Sequence, residues 1–259
     1  MGAEPEAAFD TQSRRTDHPR MHSLASLLMP AIAATVAAEP APATVAVLYF
    51  DYAGKDPALE PLRKGLTQML ISDLAAEETI RVVERERLEA VLAEQKLGAS
   101  GKIDARTAAR VGKLLGARYL VLGSYFDVMR SLRVDARLVE VETGRIVQSV
   151  GAGGKPDEFL DIEQKVAAGV REAAARAAAE PTTAARRPAL RPAPPPNDKH
   201  RPPPRPPKRL KTDTAIKYGE ALAALDAGKK GDARTLLGTV LAAQPDFELA
   251  SRDLDRLMQ

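Results

Sequence analysis

Between Thr44 and Val150 the spacing of apolar residues switches repeatedly between continuous or alternating runs and a period of three to four, and that order of switches is what most restricts the fold. Thr44–Tyr52 (TVAVLYFDY) is a run of β-branched and aromatic residues ending at Ala53-Gly54, as a buried strand should be. Leu59, Leu62, Leu66, Met69, Leu70 and Leu74 then recur on one helical face behind the start signal Asp56-Pro57. A short strand is predicted over Ile80–Val83, followed by a helix over Glu84–Gln95 with Leu88, Val91 and Leu92 inward. The loop KLGASGKI leads to Asp104, an N-cap for a third helix that runs to Leu115 and stops at Gly116.

Three strand-like runs follow, Arg118–Val128, Leu132–Val141 and Arg145–Val150. Met129-Arg130-Ser131 and Glu142-Thr143-Gly144 separate them, and connections this short make neighbours antiparallel. In LRVDARLVEVE, Leu132, Val134, Ala136 and Leu138 alternate with Arg133, Asp135 and Arg137, giving one dry and one wet face. The expected fold class is α/β: a mixed sheet in β-α-β-α-α-β-β-β order packed by helices on one or both faces, with an Ala-rich helix over Pro156–Ala179 trailing it.

The segments VAVLYFDYAG, RKGLTQMLISDLA, RVVERERLEAVLAEQKLG, ARVGKLLGARYLVLGSY and LRVDARLVEVETGRIV resemble, in that order, the CsgG-like group, which includes the curli production assembly/transport component CsgG and the flagellar FlgO-type and TolB N-terminal-like domains. The resemblance spans about Val45–Val150 and implies a non-catalytic role in envelope assembly or secretion. It is specific for the superfamily and silent on the member. Two features set this chain apart from the curli pore itself. It has no cysteine to acylate, and its short hairpins leave no spare pair of amphipathic strands for a membrane barrel. A soluble relative is therefore expected, with a secretion-channel subunit or a regulator of a peptidoglycan synthase as the alternatives.

On either side lie segments of another character. Leu24–Ala38 (LASLLMPAIAATVAA) is uncharged, preceded by Arg14, Arg15, Arg20 and His22, and ends in small residues. This predicts a secretory signal peptide cleaved after Ala38 or Ala43, with translation starting at Met1 or Met21. Residues 1–43 are thus read as tail and signal, and the mature protein as periplasmic or outer-membrane-associated. Residues 44–180 form the α/β domain with its trailing helix. In 181–211, nine Lys/Arg stand against Asp198, a net +8 that leaves the rest of the chain at −5 out of a total of +3. So Pro- and Arg-rich a segment cannot bury itself and is expected to be an extended spacer, with an anionic surface as its candidate ligand. Nucleic acid is not an expected partner, since no aromatics are interleaved for base stacking.

Residues 212–259 read as helices joined at Gly228–Gly231, with another starting at Pro245-Asp246. Ala221, Ala233, Leu237 and Pro245 fall where a tetratricopeptide repeat has its small, small, bulky and proline positions. A lone repeat, or a plain helical hairpin in its place, must dock on the α/β domain, on another copy or on a partner.

No catalytic, cofactor-binding or metal-ligating residue is expected. His18, His22 and His200 lie outside the predicted folded regions. Glu84, Glu86, Glu89 and Glu94 share a helix with Arg85 and Arg87 as a solvated charged face would. Gly98–Lys102 and Gly151–Lys155 echo phosphate loops, but the first lacks the Ser/Thr and the second has Pro156 in its place. Partners are instead expected among envelope proteins, or in self-association through the α/β domain.

Overall fold

The computed structural model describes residues 42–96, 105–129, 131–179 and 209–259. The expected signal peptide, the three histidines, Gly98–Lys102 and residues 181–208 of the spacer lie outside the described residues. Six strands form one mixed sheet: β1 (Ala43–Val47), β2 (Asp51–Tyr52), β3 (Ile80–Val82), β4 (Tyr119–Val128), β5 (Ser131–Glu140) and β6 (Ile146–Gly154). The helices are α1 (Leu62–Leu74), α2 (Arg85–Glu94), α3 (Ala105–Leu115), α4 (Phe159–Ala179), α5 (Thr212–Asp226), α6 (Lys230–Ala243) and α7 (Glu248–Met258). Strand order is β3-β1-β4-β5-β6, with β2 continuing the line of β1 beside β4. β1 is parallel to β3 and β4, whereas β4, β5 and β6 form the expected antiparallel meander.

Four local outcomes differ from the sequence reading. The run Thr44–Tyr52 is two strands, because Val47 pairs with Val121 while Asp51 pairs with Ser124, so four residues on one side span three on the other. The helix after Asp56-Pro57 begins as a 3₁₀ turn, Pro57–Leu59, capped by the Asp56 carboxylate 3.0 Å from the Ala58 N–H. Gly151–Gly154 continue β6, paired with Asp135–Leu132, so the second glycine-lysine stretch is sheet and not a phosphate loop. Leu210, assigned to the spacer, is 1% exposed and belongs to the core. Gly116 does end α3, at φ +66°.

Two apolar clusters lie on opposite faces of the sheet. One gathers Val45, Val47, Tyr119, Val121, Val134, Ala136 and Leu138 with the inner faces of α1 and α4. The other joins Ala46, Leu48, Leu120 and Val141 to Leu88 and Leu92 of α2 and Val111 and Leu115 of α3. Each fully buried leucine contributes about 2 kcal/mol of transfer free energy.

The C-terminal helices dock on the far side of α1. The predicted apolar face of α1 is buried as expected, but so are Arg63, Lys64, Thr67 and Ser72: Arg63 and Lys64 lie over the Tyr49 ring, Thr67 donates to the Leu48 carbonyl, and Lys64 also reaches Asp226 of α5. The helices cross at Gly65 and Gly219: a Cβ on Gly65 would stand 2.9 Å from the Ala215 carbonyl oxygen, and one on Gly219 would collide with the Pro61 carbonyl. Ala221, Ala233 and Leu237 are fully buried between helices, whereas Pro245 is exposed. Tyr218 anchors this layer, edge-on to Phe247 at 4.9 Å and donating to the Asp253 carboxylate at 2.8 Å.

A buried ion network fixes the same junction. Arg85 on α2, its side chain 3% exposed, donates to both carboxylate oxygens of Asp226 on α5 at 2.6 and 2.8 Å. Lys64 on α1 reaches the same carboxylate and stands 2.6 Å from Glu89 Oε1. Tyr49, between β1 and β2, donates to Glu89. The helix read as a solvated charged face is therefore only partly so: Glu86 stays at the surface, 3.1 Å from Arg256 of α7, while Arg85 turns inward. Burial raises the Asp226 carboxyl, but the hydrogen bond and charge of Arg85 and the hydrogen bond of Lys64 outweigh it, and the net pKa lies below the usual aspartate value.

Candidate interaction surface

α2 and α3 cover the second face of the sheet only across β1, β3 and the start of β4, and that cluster reaches past β4 only at Val141. Beyond it the face is bare of helices among the described residues. The meander's register lays out what it presents, in rows of three: Leu122, Arg137 and Ser149; Ser124, Asp135 and Gly151; Phe126, Arg133 and Gly153. These are the residues that alternate with Leu132, Val134, Ala136 and Leu138, so the wet face expected from the sequence is present and continues across three strands.

Its chemistry is mixed. Arg133 forks onto Asp135, with Nε at 3.1 and 3.0 Å from the two carboxylate oxygens and Nη2 at 2.8 Å from Oδ1. The hydrogen bond and charge of Asp135 raise the Arg133 pKa. The pair lies flat over β6, where a Cβ on Gly151 would stand 2.8 Å from Arg133 Nη2 and strike the Asp135 carboxylate. Arg137 is exposed beside them, and Leu122 and Phe126 on β4 are half-buried, so an apolar flank borders a charged centre and a rim of small residues. At the end of the sheet, Tyr52 stacks on Tyr125 at 5.1 Å and donates to Asp127. Burial and that hydrogen bond push the Tyr52 phenol up to about 12.

Such an arrangement can dock a surface, and among the described residues it holds no histidine, no cysteine and no metal-binding cluster of acids. Glu84, the N-cap of α2, and Glu86, Glu89 and Glu94 on it lie away from this face; Glu89 serves the ion network and Glu86 the contact with α7. No helix among the described residues is long and apolar enough to cross a membrane. Sequence reasoning found the alternation in β5 but not its extension over β6, because Gly151 and Gly153 carry no side chain to mark a face.

Residues 43–129, from β1 through the end of β4, match the family described as curli production assembly/transport component CsgG. No curated protein matches the chain. Among solved structures it is similar to the LpoB C-terminal domain from Salmonella enterica, at 17% identity and a TM-score of 0.39 over 44% of this chain and 84% of that one. It is also similar to lipoprotein GNA1162 from Neisseria meningitidis, at 16% identity and 0.39 over 44% and 81%. A PelC dodecamer from Paraburkholderia phytofirmans matches at 12% identity and 0.31 over 52% and 87%. The segment 43–129 is CsgG-like in fold, and β5, β6, α4 and the C-terminal helices lie beyond the matched family segment.

Proposed function

We propose that the protein is a non-enzymatic assembly or scaffold component of the bacterial envelope, exported through its N-terminal signal, which works by docking other envelope proteins on the bare β4–β5–β6 face. The observation that carries this reading is the family match over 43–129, whose name concerns assembly and transport. The long helix-free face gives that role a surface. Commitment of β4, β5 and β6 to one continuous sheet favours a scaffold over a channel subunit. The C-terminal helices, with the residue pattern of a single tetratricopeptide repeat, brace α1 and offer α6 and α7 as a further outer surface. Of the two cleavage points, Ala38 leaves β1 whole, whereas cleavage after Ala43 removes a residue paired with Ile80.

Cell fractionation with sequencing of the mature N-terminus tests this. The expected result is protein in the periplasm or outer-membrane fraction, starting at Glu39; an uncleaved protein in the cytosol overturns it.

A further inference from the structure

The rim of the bare face is β6, nine residues at the end of the strand order. One side of it bonds to β5, and among the described residues no strand pairs with the other. At ~3.4 Å per residue the free side is about 30 Å long and presents a row of backbone N–H and C=O groups. Proteins usually blunt such an edge with lysine, proline or a bulge that twists it away. Here the strand reads IVQSVGAGG, with no charge and no proline. The register shift at Leu138/Val139 touches only its beginning, so Gln148–Gly154 run regularly beside β5. Ser149 and Gly153 are exposed and small, leaving room for the side chains of a neighbouring strand on either side of the Arg133–Asp135 pair that lies over Gly151. Charge appears only just past the ends. Arg145 precedes the strand, its side chain 62% exposed and its Nε 3.9 Å from Glu140, and exposed Lys155 follows it, with Asp157 and Glu158 in the next turn.

We propose that β6 is a strand-addition edge that receives an extended segment of a partner protein, uncharged and β-branched over about eight residues and carrying carboxylates at both ends. This rests on the scaffold reading and names the kind of partner it takes. Backbone hydrogen bonds along β6 supply affinity, and the cations at its two ends select the segment. A second copy of the chain fits less well. Antiparallel self-pairing centred on Val150 sets Arg145 of each copy opposite Lys155 of the other, and directly opposed like charges destabilise a ladder.

The test uses the full chain and two synthetic peptides that share an alternating Thr-Val centre, one ended by glutamates and the other by lysines. Hydrogen exchange is followed in β6 while each peptide is titrated. The glutamate-ended peptide is expected to slow exchange of alternate β6 amides at least tenfold, and the lysine-ended peptide to bind at least tenfold more weakly. Arg145→Glu with Lys155→Glu should reverse that order. Adjacent N–H groups of an edge strand point in opposite directions, so of Ser149→Pro and Val150→Pro one should abolish protection while leaving the fold intact. If both prolines unfold the chain, the charge reversal decides.

Unchanged β6 exchange at millimolar peptide, or equal binding of the two peptides, would overturn the proposal. So would β6 protection in a peptide-free dimer, which would assign the edge to a second copy. The titration does not depend on where the protein resides, so its failure leaves the scaffold role standing, and a cytosolic location would sink that role without touching the titration.

Discussion

Replacing Asp226 by asparagine strikes the point where three helices are pinned together. Asp226→Asn keeps the shape of the side chain but removes the charge that Arg85 and Lys64 share, and their side chains are only 3% and 10% exposed. Breaking a buried pair by removing one partner costs about 3–5 kcal/mol when the other charge is left stranded. Two features reduce that here. Asp226 is itself one-fifth exposed, and Glu89 remains 2.6 Å from Lys64 and 3.9 Å from Arg85. A loss of about 2 kcal/mol is therefore expected, a fall in Tm of about 4–8 °C for a chain of this size. Chemical denaturation of Asp226→Asn measures it, and a cycle of Asp226→Leu, Arg85→Met and the double variant Arg85→Met/Asp226→Leu measures the coupling. The double variant should lose much less than the sum of the singles, because an apolar pair carries no stranded charge. Strict additivity, or a loss below about 0.5 kcal/mol for Asp226→Asn, would refute a structural role for the network.

The junction carries further consequences. Gly219→Ala should loosen the crossing of α5 over α1 by about 2 kcal/mol through the clash with the Pro61 carbonyl, seen as faster proteolysis after Lys211 and a lower Tm. Glu163 on α4 is fully buried, neither carboxylate oxygen has a hydrogen-bond partner, and burial followed by the nearby Asp73 on α1 raises its pKa well above the usual glutamate value. Burial likewise lifts Asp73 to about 6, against the charge of Arg171. Groups with raised folded pKa values bind more protons when folded, so their contribution is complete below the unfolded value near 4 and falls as pH rises, for Asp73 between about 4 and 6. Glu163→Gln should therefore raise Tm at pH 8 and flatten its fall between pH 5 and 8, read by thermal melts across that range. Asp226 has the opposite sign: its contribution is present above the ordinary aspartate range and is lost as pH falls through it, which acid titration of Asp226→Asn against the parent would reveal.

Much of the fold was legible because each element has a single dominant period. Leu88 and Leu92, or Leu132 through Leu138, face one way and fix the element's type and its buried side. Legibility failed where tertiary packing overrides that local signal. α1 reads as one-sided, but α5 packs against it as well, and nothing near Lys64 or Arg85 in sequence announces Asp226. Glu163 stands at helical spacing from Val166, Ala167 and Val170, on the buried face of α4, but nothing local shows that the close approach of α1 and α4 encloses a carboxyl there. The break between β1 and β2 depends on counting residues across to β4, which a single segment cannot reveal. The interaction surface was half legible, since β5 shows its wet face in its alternation and the glycines of β6 hide theirs.

If the bare face of β4, β5 and β6 docks envelope partners, those partners come within crosslinking reach of it. The most direct measurement places a photo-crosslinking residue in living cells at Arg137 or Ser149 on that face, with Lys165 on the exposed side of α4 as the control. Discrete crosslinks to envelope proteins are expected from Arg137 and Ser149 and none from Lys165. Crosslinks of equal yield from all three positions, or none from the sheet face, would contradict it.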